Sequence, residues 1–416
     1  MEILSTGEKI RRARIYKGYT LKYICEDKIS VSKMSCIEND KVVPEEWILK
    51  FLSKKLDLDI DYLKDDVRSQ INKNLERLKK LDRNDYQEQL IYNLSYAEEY
   101  GYYKESFEIM HLMFVYNIQM KRYEKLQVLM SKYYDTCLKS KSDENQLIYY
   151  MDIAKYFYCS EEYMQAAGYY NTVKEEAKKR KDNEFITRAT FNECHCYIMA
   201  KQYDIAYEIA KGLMDLIIFF DNDLKKAESF HMMALLTLIN NKDDFQHYEN
   251  KAYELYGENK INIANAVFNY AQAMFTLNLK DRAVEYIRKG LSCCPSEEEE
   301  TLVKYMLKCI EELIENNIIE EAEKISDGAI NYAINLKDMR YIEKAYHLKA
   351  LILGKKGDLS SKEMYMNLSL DALMKYGTKK QVYERYMEMG HMYYKMKNIN
   401  ESIKYFSLAL NINKTI

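Results

Sequence analysis

Proline and glycine are scarce in this chain, with two prolines and twelve glycines among 416 residues. An all-β chain needs turn formers at short, regular intervals, so this composition excludes a sandwich or barrel. Long apolar runs are also missing. None approaches the ~18 residues of a membrane span, and the opening MEILSTGEKIRRAR lacks a signal-peptide core. The expectation is a soluble, cytoplasmic protein that does not enter a membrane. The nine cysteines include no CxxC pair and read as reduced core residues rather than a disulfide frame. None of the six histidines has a second His or Cys at i, i+4. In CHC, residues 194–196, the two cysteines diverge by ~200° on a helix. No βαβ alternation, glycine-rich phosphate loop or GxSxG is present. The sequence therefore speaks against an enzyme, a metal site or a cofactor.

Lys, Glu, Leu, Ile, Met and 40 tyrosines are abundant, which favours helix nearly throughout, and the length implies two or more units. The net charge is −3, but residues 1–64 carry 13 basic and 11 acidic side chains, so the remainder is acidic. Six of those bases fall between Gly7 and Lys22, against one acid, Glu8. A locally basic head on an acidic body suits a small nucleic-acid module joined to a larger element.

The head reads as short helices. GEKIRRARIYKG offers Ile10, Ala13, Ile15 and Tyr16 as an apolar side and stops at Gly18. Thr20 caps a second helix with Leu21, Ile24 and Cys25 inward, and Ser30 caps a third with Met34 and Ile37 inward. Pro44 opens a helix whose stripe is Trp47, Ile48, Phe51, Leu52 and Leu56, and Leu58, Ile60 and Leu63 close the unit. This order resembles the phage-repressor-like (Xre) helix-turn-helix domain. Leu21 stands where such domains usually offer a glutamine, and the turn has no glycine. The resemblance implies that the third helix enters the major groove of double-stranded DNA. By position it makes Val31, Ser32, Lys33 and Cys36 groove-facing and Arg14, Lys22 and Lys41 phosphate contacts.

The rest of the chain repeats. YMEMGHMYYKMKNINESIKYFSLALNI resembles the tetratricopeptide (TPR) pattern, with Gly390, Tyr393, Ser402, Phe406 and Ala409 at its small and large positions. The template slides back onto Ala166, Ala206, Ala283 and Ala322, mostly about 40 residues or a multiple apart; Lys362 replaces the small residue in one copy. This period exceeds the standard 34, so the helices are longer or the loops larger. Residues 117–140 fit poorly and read as one irregular hairpin. In PSEEEE, Ser296 reads as a cap and the acids as the first turn of the next helix. The fold class expected is all-α: a helix-turn-helix domain followed by a TPR-like α-solenoid, a right-handed superhelix with a concave groove.

On the inward face of the first helices, the template places Lys155, Tyr158, Arg188, Asn192, His195, Glu228, His231, Asn265, Asn269, Gln272 and Phe275, then Lys344 and His347. An extended peptide exposes N–H and C=O groups, and an asparagine amide can donate to one and accept from the other. Asn192 and Asn269 hold the same repeat position.

A helix-turn-helix joined to such repeats resembles the RRNPP family (Rap, Rgg, NprR, PlcR, PrgX) of peptide-pheromone receptors. The carrying segments are LKYICEDKISVSKMSCIEN, closest to the PlcR type, and DDVRSQINKNLERLKKLDRN, which looks like the family's linker helix. The division implied is 1–64 for DNA binding, 65–85 as linker helix and 86–416 for peptide binding and dimerisation. The implied protein is a homodimeric, quorum-sensing transcription regulator controlled by a short linear signalling peptide. The other reading is a TPR adaptor of Rap or NprR type that binds a response regulator.

Overall fold

The computed structural model describes residues 2–79, 85–295 and 297–413. Among these every regular element is helical, and the chain divides into two compact units, Met1–Lys201 and Gln202–Ile416. No described helix is long and apolar enough to cross a membrane.

The first unit opens with α1 (Thr6–Tyr16), α2 (Leu21–Cys25), α3 (Val31–Glu38), α4 (Glu46–Leu56) and α5 (Ile60–Lys64). Thr20 and Ser30 cap α2 and α3 as expected, each hydroxyl accepting from the backbone N–H three residues on. Ile10, Ile24, Cys25, Ile29, Met34, Ile37, Ile48, Leu52, Leu56 and Leu63 form one core. The expected apolar side of α1 is only partly used. Ile15 and Tyr16 are exposed, Tyr16 at 91 %, because α1 packs through its first two turns. Trp47 is likewise half out of the core, its indole N–H donating to Glu45. The missing turn glycine has a visible consequence: Glu26 takes φ 46° there.

Six further helices and one more complete this unit: α6 (Val67–Leu78), α7 (Tyr86–Glu99), α8 (Tyr103–Gln119), α9 (Tyr123–Ser140), α10 (Asp143–Cys159), α11 (Tyr163–Arg180) and α12 (Asn183–Met199). Of the segment expected as a linker helix, 80–84 lie outside the described residues. Its helical part, α6, buries Val67, Ile71, Leu75 and Leu78 in the same core as α7–α10. Ile3 enters that core too, its N–H donating to Tyr92 Oη at 2.8 Å. The Gln70 side chain of α6 binds both backbone groups of Leu4. The head is therefore tied to α6 through Leu4 and Gln70, while the Lys9 ammonium on the carbonyls of Tyr62 and Asp65 fastens α1 to α5 and the residue that ends it.

The period is carried by helices of 17–18 residues and very short turns, which settles the choice between longer helices and larger loops. Left-handed residues mark the turns at Gly101, Lys121, Lys141, Glu161, Lys181 and Lys201, twenty apart each time. The segment 117–140 is not irregular. It comprises the end of α8, a short turn and regular α9, and it escaped the pattern because Leu126 fills the position that Ala166 holds one repeat later.

In the second unit α13 (Tyr203–Leu216) ends in a 3-10 turn and is followed by α14 (Asp223–Ile239), α15 (Phe245–Tyr256), α16 (Lys260–Thr276) and α17 (Lys280–Cys293). Then come α18 (Glu299–Glu315), α19 (Ile319–Leu336), α20 (Met339–Lys356), α21 (Leu359–Leu373), α22 (Lys379–Lys395) and α23 (Ile399–Asn413). Ser296, expected as a cap, lies outside the described residues. Successive helices pair as hairpins from α14/α15 to α22/α23, and first helices also touch first helices, as in α14 with α16 and α18 with α20. The small residues Ala283, Ala322 and Ser402 are buried at these crossings, and Ala206, on α13, is buried as well. Lys362, the exception, is accommodated by Gly354: a Cβ there would lie 2.9 Å from Lys362 Cδ.

Gly290 shows how tight a crossing is. A Cβ on it would come within 3.0 Å of Tyr305 Cζ and closer still to its hydroxyl, which donates to the Ala264 carbonyl at 2.8 Å. Gly290→Ala is expected to cost about 1–3 kcal/mol through overpacking. Adding Tyr305→Phe should return part of that loss in chemical denaturation. An unchanged midpoint for Gly290→Ala alone would show that the crossing can open.

Candidate nucleic-acid face and ligand cleft

Helix α3 is short, capped and anchored through Met34 and Ile37, which leaves its other side open. Val31 (44 % exposed) and Ser32 are exposed, Cys36 is half-buried, and Lys33 reaches Glu45 at 2.7 Å. That pair is exposed, and such pairs contribute little, so the ammonium can exchange Glu45 for another anion. Lys22 and Lys41 are exposed and make no ion pair among the described residues.

Arg14, expected at a phosphate, is engaged within the head itself. Its guanidinium binds Glu38 through Nε at 2.7 Å and Nη2 at 2.8 Å, and donates to the Tyr19 carbonyl. Both partners are largely buried, with side-chain exposures of 15 % and 4 %. The hydrogen bond to Glu38 raises the guanidinium pKa further. This arginine bolts α1 to the end of α3: three of its five N–H donors are engaged inside the head and its side chain is 15 % exposed. Lys9, counted among the basic residues of the head, is buried and similarly occupied.

In the first unit, α8, α10 and α12 lie in one row, and their common side forms a cleft of about 480 Å³. Lys155, Tyr158, Arg188, Asn192 and His195, all expected at a ligand face, line it. Residues the template did not supply line it as well: His111, Val115, Met151, Asp152, Cys159 and Tyr170. A signal for them existed. Leu112, Asp152 and Asn192 are spaced by 40, as are Val115, Lys155 and His195, so one further repeat step reaches α8. A smaller hollow of about 270 Å³ adjoins at Val115, with Leu78, Leu112, Tyr116 and Gln119 in its wall.

The cleft floor is set by Asp152. Its Oδ2 accepts from Tyr133 Oη at 2.7 Å and faces His111 Nδ1 at 2.6 Å. Tyr133 is fully buried, and that burial, with the carboxylate beside it, drives its phenol pKa far up. Burial also raises the Cys159 thiol, against the pull of Lys155 and Lys121. The Asn192 amide has no hydrogen-bond partner among the described residues, and neither does the Lys155 ammonium. Arg188 holds Glu184 at 3.3 Å in an exposed pair.

In the second unit the expected residues are placed differently. Asn269 Nδ2 lies 3.2 Å from His231 Nε2, Gln272 donates to Glu312 at 2.7 Å, and Glu228 pairs with Lys225. Asn265 is exposed. Lys344 pairs with Glu311, and His347 with Glu388. Phe275 is a correction: it is 6 % exposed and packed in the core of this unit, because its ring turns in among the apolar side chains of the neighbouring helices.

Among the described residues no group of three or more His, Cys, Asp or Glu is placed to hold a metal. Cys194 and Cys196 are both fully buried, and burial pushes the Cys196 thiol up to about 12.

Residues 383–416 match the tetratricopeptide repeat family model. No curated protein sequence matches the chain. Solved structures do. Bacillus thuringiensis PlcR in complex with the peptide PapR7 and DNA is 13 % identical, covering 61 % of this chain and 94 % of that one, with a TM-score of 0.36. Apo NprR from B. thuringiensis is 15 % identical over 84 % and 99 %, with a TM-score of 0.42. Aspartyl phosphate phosphatase F from Bacillus subtilis is 12 % identical over 99 % and 96 %, also with a TM-score of 0.42.

Proposed function

We propose that the chain is a transcription regulator in which residues 1–64 bind double-stranded DNA and a short linear peptide, held by the helical repeats, controls that binding. The observation that carries the reading is the cleft on α8, α10 and α12. Five residues expected from repeat position alone converge there, and one of them, Asn192, offers an unpartnered amide to a peptide backbone. The face of α3 supplies the second half, with Val31, Ser32, Lys33 and Cys36 toward base edges and Lys22 and Lys41 toward phosphate. The regulator works as a homodimer in the cytoplasm, its two heads matching half-sites about one DNA turn apart.

Control requires that the peptide prefer one arrangement of the protein over another, and a coupling of about 1–3 kcal/mol is typical. The tie from Leu4 to Gln70 gives the head a fixed attachment to α6, whose last turn reaches the hollow beside the cleft. A ligand seated there acts on the same helix that holds the head.

The test is a gel shift of the full chain on its own upstream DNA, with and without peptides encoded by neighbouring small reading frames. A specific shift altered by one peptide establishes the reading. No specific shift under any condition overturns it in favour of the adaptor, to be pursued by pull-down of a response regulator. Once a peptide is in hand, Asn192→Ala is expected to weaken it about tenfold, the loss of roughly one to two backbone hydrogen bonds. Asn269→Ala should do less, since that amide already faces His231. Equal affinities for wild type and Asn192→Ala would remove Asn192 from the site.

A further inference from the structure

We infer that the cleft on α8, α10 and α12 selects a ligand that carries a carboxylate. This rests on the peptide-binding reading and adds the chemistry of the peptide. Two cations, Lys155 and Arg188, and two imidazoles, His111 and His195, line the cleft, with Asp152 as its single acid. Asp152 is already partly neutralised by its neighbours. It is buried beneath the cleft, and its Oδ2 is taken by the Tyr133 hydroxyl and by His111.

The other acids nearby do not alter the balance. Glu193, on α12, is buried and held by Lys174. Glu184 meets Arg188 in a pair with both side chains about half exposed, which an incoming carboxylate displaces at little cost. Lys155 enters no ion pair or hydrogen bond among the described residues, and Lys121 stands close enough to act with it on the Cys159 thiol. Positive charge is therefore in excess where the ligand lies, and an unpaired ammonium beside an unpaired amide is a receptor for an anion next to a peptide bond. A lysine or arginine on the ligand would meet Lys155 and Arg188, with Glu184, already paired to Arg188, as the exposed acid beside them, and like-charge juxtaposition disfavours the wrong ligand. The carboxylate has two sources, a Glu or Asp side chain or the free C-terminus, and the same chemistry serves both.

The probes are fluorescein-labelled heptapeptide pools containing one glutamate, one lysine or neither, each made as free acid and as C-terminal amide, titrated into the full chain by anisotropy. The glutamate pool or the free acids are expected to bind roughly tenfold tighter than the lysine amides. A preference surviving amidation assigns the side chain, and one lost on amidation assigns the terminus. Lys155→Glu should invert the order, with helical content by circular dichroism confirming that the variant is folded; Lys155→Gln, which only neutralises, should level it. If neutral or lysine pools bind as tightly as glutamate pools, the inference fails while the peptide-receptor reading stands. If no pool binds, that reading falls and the inference with it.

Discussion

Arg14→Met is expected to destabilise the head by about 3–5 kcal/mol, the usual result of removing one partner from a buried ion pair. The remaining Glu38 carboxylate would sit at 4 % exposure with both of its guanidinium donors gone. Neutralising the second partner as well, Arg14→Met with Glu38→Met, should recover most of the loss, because an apolar pair has no uncompensated charge to desolvate. The full chain reports this directly. Its one tryptophan, Trp47, lies in α4 at 46 % exposure, so fluorescence during urea unfolding follows the head within the intact protein. A shift below ~1 kcal/mol for Arg14→Met would mean that water reaches the pair and screens it. The double variant also separates structure from recognition. If Arg14 is a bolt and not a phosphate contact, the refolded double variant keeps its affinity for DNA, whereas Lys22→Ala or Lys41→Ala weakens binding to all sequences alike.

Arg14 also marks the limit of what the sequence could say. The caps Thr20 and Ser30 and the inward Met34 and Ile37 were legible because capping and helical spacing are local. The partner of Arg14 is 24 residues away and becomes its neighbour only when α1 meets α3, so charge in a basic stretch could not distinguish a bolt from a DNA contact. The repeat behaved similarly. Its period was visible through Ala166, Ala206, Ala283 and Ala322, while Leu126 hid one copy, since a pattern keyed to small residues cannot see a crossing filled by a large one. Lys362 was correctly seen as out of place, yet its compensation, Gly354, sits on the facing helix. Within the cleft, repeat position was enough for Lys155, Arg188, Asn192 and His195. It failed for Phe275, where proximity to the ligand face and burial against a neighbouring helix compete and the core takes the ring.

Asp152→Ala is the change expected to affect the cleft most. The carboxylate holds the Tyr133 hydroxyl at 2.7 Å, and Tyr133 is fully buried against Phe107 and Phe114, so the substitution strands its hydroxyl. A hydrogen bond to a charged group contributes about 1.5–3 kcal/mol, and the stranded hydroxyl adds a desolvation penalty, so a loss of about 3 kcal/mol is expected in thermal or chemical unfolding. His111 loses its partner at the same time, and the side chains that frame the cleft lose the contact that fixes the height of its floor. Peptide affinity should therefore fall along with stability. Asp152→Asn keeps an oxygen for one donor and should cost about a third as much. Tyr133→Phe on the Asp152→Ala background removes the stranded hydroxyl and should return part of the stability without restoring the peptide site. That split is the informative outcome. Stability and affinity recovering together would make Asp152 a packing residue that the ligand never senses. Stability alone recovering places the His111–Asp152 contact at the ligand, as the element that keeps the one acid of the cleft occupied.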